Sequence, residues 1–154
     1  VASSIPTARN NLYTGLAGLA AVGQPLEGVG VYRTGLWRES RTRDRVFLLN
    51  ARDIAQDFSS IGQFRLEENY VLPVAVEINR RGDDISVVEA RLWAVVAELQ
   101  KWVVANYTLS GAVKWCKPAG AINPEQSGPS ATDEDALLGM VTLRFECMAR
   151  VLLT

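Results

Sequence analysis

Polar and apolar positions alternate along one long stretch. Phe64, Leu66, Tyr70, Leu72, Val74, Val76 and Ile78 share one parity, broken at Glu68, while Arg65, Glu67, Asn69, Glu77 and Asn79 hold the other. Period-two alternation predicts a strand of an antiparallel sheet with one buried face. At about 3.3 Å per residue such a strand reaches about 55 Å, longer than a small domain needs. It therefore either bends within the domain or projects as a long β-hairpin arm with residues 45–50. Pro73, on the polar parity, removes a ladder donor and marks a bulge or an edge.

After a turn the period changes. Ile85, Val88, Leu92, Val95, Val96, Leu99, Trp102 and Val103 form one stripe at steps of three and four, which predicts a helix over 84–105. Asp83 or Asp84 can cap it, and Ser86 with Glu89 offers a capping box. A first helix follows from Ile5, Leu12, Leu16 and Leu19, with Ser4 as cap, Pro6 in the first turn and Gly23 at the end. Gly15 and Gly18 weaken that helix unless close packing against a sheet requires small residues. Strands are predicted near 29–33, 45–50, 112–118 and 138–153. Residues 51–63 read as a loop with one helical turn, and the acidic, proline-containing stretch 119–136 as a surface loop. The element order implies an α+β fold, an antiparallel or mixed sheet with two main helices packed on one face.

Composition adds bounds. The chain has 154 residues, 48% hydrophobic and 21% charged, with a formal net charge of −1. This fits a single domain over 1–154 that needs no disulfide or metal staple. The charge balance argues against broad nucleic-acid binding. Arg38, Arg41, Arg43 and Arg45 nevertheless cluster, as a solvated loop or as a strand edge facing a partner. Cys116 and Cys147 form no CxxC pair and read as partly buried free thiols of a protein made in a reducing cytoplasm. A disulfide between neighbouring strands is geometrically open but has no support from spacing. No stretch has the length and apolarity of a membrane span.

The chemistry-bearing residues are sparse. The sequence holds no histidine, which removes Ser-His-Asp and Cys-His mechanisms and imidazole metal sites. Gly28 and Gly30 are followed by no third glycine of a dinucleotide loop. Glu67 and Glu68 point to opposite faces of their strand and cannot share a site. Glu68, on the apolar parity, reads as a register break or an interface salt bridge rather than as an acid of raised pKa. Asp83–Asp84 and Asp133–Glu134–Asp135 read as a cap and a solvated loop rather than a cation site. These readings imply neither an enzyme nor a cofactor.

One resemblance adds to this. The Ser4–Ile5–Pro6 helix start, the alternating strand, the turn at Gly82, Asp83 and Asp84, and the Val88–Glu89–Ala90–Arg91 run together resemble tail terminator proteins of phages with long non-contractile tails, especially those of actinobacterial hosts. The likeness covers roughly residues 3–105 and the last strand. It implies a structural virion protein at the head–tail junction, assembled in the host cytoplasm. Such a protein forms a homo-hexameric ring that caps the tail tube, ends its polymerisation and joins the head–tail connector. Genomic DNA passes through the lumen without specific binding. The resemblance transfers no functional residue. Arg38, Arg41, Arg43, Arg45, Glu67 and Glu68 are candidate subunit contacts on their charge and position alone. A head-completion or connector protein of the same neck is the nearest alternative, and a cellular binding module a more distant one.

Overall fold

The computed structural model describes residues 3–33, 44–60, 64–81, 84–120, 123–129 and 136–152. In chain order these form α1 (Ile5–Leu19), β1 (Gly30–Tyr32), β2 (Asp44–Leu48), β3 (Arg52–Ser60), β4 (Arg65–Arg81), α2 (Ile85–Ala105), β5 (Trp115–Pro118), β6 (Asn123–Pro129) and β7 (Ala136–Leu152). The expected α+β architecture is present, with one mixed sheet and two helices on one of its faces.

The sheet is built on two long strands. β4 and β7 pair antiparallel from Arg65↔Leu152 to Arg81↔Ala136 without a register shift. Two short strands in series line the other side of each. β3 pairs with the first half of β4 and β2 with the second. β6 pairs with the first half of β7 and β5 with the second. β1 extends the sheet beyond β2 and makes its parallel pair. Apart from β1, each half of the chain thus follows one order, a helix and then a short strand, a hairpin strand and a long strand. The strand pairings of the two halves correspond about the middle of the β4–β7 ladder, whereas the helices sit differently, α2 over both long strands and α1 beside β1. No sequence repeat accompanies this correspondence.

The long strand does not leave the sheet. It is paired throughout by β7, and its hairpin partner is β3 rather than residues 45–50. Residues expected as a loop therefore form β3, and part of the expected acidic loop forms β6, an edge position where Pro124 and Pro129 are tolerated. Phe64 was expected inside the strand but precedes it, with φ of +48°. Pro73 marks neither a bulge nor an edge. Its carbonyl accepts the Leu49 N–H at 3.0 Å, so its nitrogen faces the seam where β3 has ended and β2 begins. No ladder donor is required there.

The core lies between the sheet and the helices. Tyr70, Leu72, Val74, Val76 and Ile78 of β4 meet Val141, Leu143, Phe145, Cys147 and Ala149 of β7. The α2 stripe covers them through Val88, Leu92, Val95, Val96, Leu99 and Val103, and α1 adds Ala8, Leu12 and Leu16. Asp84 caps α2 by accepting the Ser86 N–H at 3.1 Å, so Ser86 lies inside the helix and is not its cap. Ser4 occupies the N-cap of α1 without a side-chain capping bond. Its hydroxyl is 3.0 Å from that of Tyr70 instead. Gly15 packs against the Trp102 ring of α2, not against the sheet, and a Cβ there would lie 1.9 Å from the ring.

Candidate interaction surface

On the β3–β4 hairpin large apolar side chains are left uncovered. Every described side chain of β3 from Arg52 to Phe58 is exposed, including Ile54 at 53% and Phe58 at 68%. Phe58 lies opposite Leu66 and Gln56 opposite Glu68, so this parity of β3 faces the helix side of the sheet, beyond the reach of the helices. Phe64, 66% exposed, stands where the chain enters β4, and Leu152, 50% exposed, pairs with Arg65 at the same end. Ile54 and Phe58, large apolar side chains exposed on one face of an edge strand, form a surface that invites another chain. The sequence offered one signal for it, the shared parity of Ile54, Gln56 and Phe58, which the surrounding polar residues obscure.

The predicted contact residues separate. Arg38, Arg41 and Arg43 lie outside the described residues, as do Gly82, Asp83 and the acidic run Asp133–Glu134–Asp135. Arg45 forms an ion pair with Glu77, its cross-strand neighbour on the face away from the helices. Glu67 lies on that same face, 3.6 Å from Arg150. Also there, Arg144 reaches from β7 to Asp53 of β3 at 2.8 Å. It stands opposite Pro73 of β4, which helps explain why Pro73 is buried without a helix above it.

Glu68 is neither a register break nor a surface contact. Its side chain is fully buried. One carboxylate oxygen accepts the Ser4 N–H at 2.7 Å and the other accepts the Gln56 amide at 2.7 Å. Burial pushes its pKa up, but the Ser4 N–H, the Gln56 amide and the Ser3 and Ser4 hydroxyls outweigh it and hold the carboxyl below its ordinary value. Glu68 and Gln56 thus fasten the root of the hairpin to the start of α1. Tyr70 beside it is pushed well above the usual phenol value, chiefly by burial.

A second polar cluster anchors β2. Asp44 lies on the helix face, buried, and both of its oxygens are held by the Arg80 guanidinium, one at 3.0 Å. Arg91 of α2 donates to the same carboxylate at 2.9 Å. Burial raises the Asp44 pKa, and the two guanidiniums more than reverse this, leaving it lowered. Two arginines around one carboxylate fix the first residue of β2.

A cleft of about 180 Å³ is lined by Pro6, Arg9, Asn10, Tyr13, Arg33 and Leu48. It is smaller than most ligand sites. Arg9 is committed to the carbonyls of Arg33, Leu48 and Leu49, and the Arg33 guanidinium lies over the Tyr13 ring. Among the described residues no group of three or more His, Cys, Asp or Glu side chains is placed to hold a metal ion. No helix among them is long and apolar enough to cross a membrane. The chain matches no protein-family model and no curated protein sequence.

Proposed function

We propose that this chain is a structural virion protein, a tail terminator that assembles as a hexameric ring on the end of a long non-contractile phage tail tube. The ring ends tube polymerisation and presents a joint to the head–tail connector, with DNA passing through its lumen. The sequence resemblance supplies the family. The observation that carries the assembly reading is the exposed β3 edge with Ile54 and Phe58, which a neighbouring subunit would cover.

The sheet also suits a ring. β3 and β6 lie on opposite lateral edges of it. A contact that joins one kind of edge to the other is heterologous, and repeated around an axis it closes into a ring when the rotation fits. Charged groups near the edge would set register and partner choice more than affinity.

Native mass spectrometry and negative-stain microscopy test this directly, together with tube assembly by the major tail tube protein. The expected result is a six-fold ring, alone or on tube ends, and tubes of limited length. A chain that stays monomeric at every concentration and neither caps nor limits tubes would overturn the proposal.

A further inference from the structure

We infer that Cys116 and Cys147 are a built-in disulfide site, a dithiol in reducing surroundings that closes into a cross-strand bond in oxidising ones. The inference stands on the sheet alone and does not depend on the phage reading.

The two residues face each other in the register of β5 and β7. The Ala119 N–H donates to the Arg144 carbonyl at 3.0 Å. Counting back along the register from that pair, Lys117/Glu146 is the next hydrogen-bonded pair and Cys116/Cys147 falls at a non-hydrogen-bonded one. At such positions Cα atoms are about 4.5 Å apart and side chains approach most closely, within the range that disulfides span. The sulfurs are 3.1 Å apart, with the Cys147 thiol donating to Cys116. Both are buried and free. The contact with Cys116, then burial, push the Cys147 thiol far above its ordinary pKa. The pair is therefore inert in the closed fold, and access depends on local opening of β5, a four-residue strand.

The chemistry needs an external disulfide, such as oxidised glutathione, as electron acceptor. One cysteine thiolate attacks a glutathione sulfur and expels a first glutathione thiolate. The second cysteine thiolate attacks the mixed disulfide and expels another. The two protons lost by the cysteines end on the two reduced glutathiones. The product ties β5 to β7 and encloses β6 within a covalent loop.

The test uses the whole chain by two routes. In one the native protein is incubated in glutathione redox buffers. In the other the urea-unfolded chain is refolded in them, which removes the question of access. Peptide mapping without reduction should show Cys116 linked to Cys147, with the mass of two hydrogen atoms lost and no intermolecular product. The oxidised chain should melt roughly 10 °C higher than the reduced one. Cys116→Ala and Cys147→Ala should each abolish the shift. Thiols that stay free by both routes, or stable glutathione adducts in place of the internal bond, would overturn the inference.

Discussion

Glu68 accepts the backbone N–H of Ser4 across 64 positions of sequence, at 2.7 Å. The buried carboxylate thereby holds the first residue before α1 against the beginning of β4. The donors around it are neutral, so its charge is stabilised by oriented N–H and O–H dipoles rather than by a counter-ion.

Acid should weaken this fold through that group and Asp44. Both folded-state pKa values lie below the ordinary ones of 4.5 and 3.8. Their stabilisation is therefore fully present above the ordinary values and is lost as pH falls through the lowered ones. Urea unfolding midpoints should be flat near neutrality and fall below about pH 4.5. In Glu68→Gln the fall should be shallower. At pH 7 that variant should lose about 2 kcal/mol, since it exchanges charge-assisted bonds for neutral ones.

Asp44→Ala should cost about 3 kcal/mol, because Arg80 and Arg91 keep their charges and lose their shared partner. A double-mutant cycle between Asp44→Asn and Arg91→Met, read by urea unfolding, should show a coupling of about 1 kcal/mol or more. Additivity would mean that the Arg91 contact contributes nothing.

The two glycines of α1 should behave in opposite ways. Gly18→Ala meets open space and should stabilise by up to about 1 kcal/mol through helix propensity. Gly15→Ala gains the same propensity but drives a methyl into the Trp102 ring, with a net loss of about 1–3 kcal/mol. Thermal melts of the two variants decide this. Equal effects would show that the helices are free to move apart.

Phe58→Asp and Ile54→Lys test the exposed hairpin. Neither side chain is part of the core cluster, so the fold should keep its stability within about 0.5 kcal/mol. Ring formation and tube capping should fall at least tenfold in subunit concentration dependence, an effect of about 1.4 kcal/mol per contact. Unchanged assembly by both variants would place the subunit contact elsewhere.

The sequence made the core readable and its borders unreadable. The α2 stripe and the alternation of β4 and β7 were legible because burial on one face imposes a period. β3 was not, because all its described side chains are exposed and no period is enforced. β6 was hidden by its prolines, which an edge position accepts. Glu68 broke the alternation and suggested an irregularity, yet the strand runs through it in register. What compensates the buried charge comes from Ser4 and Gln56, distant positions that a local pattern cannot reveal. Gly15 was legible as a close approach, but its partner, Trp102 of the other helix, was not.

The central ladder also sets the order in which the chain can fold. β3 and β4 follow each other closely in sequence, whereas β4 must wait for β7 until α2, β5 and β6 have been made. Local pairings close early and distant ones late, and a fold that depends on the distant ones is slow. During synthesis the side of β4 that β7 will cover would therefore stand open, and at risk of pairing with other chains. Co-translational crowding, more than the stability of the finished domain, should then limit how much of this protein a cell can make at once. Lowering the rate of synthesis should raise its soluble yield.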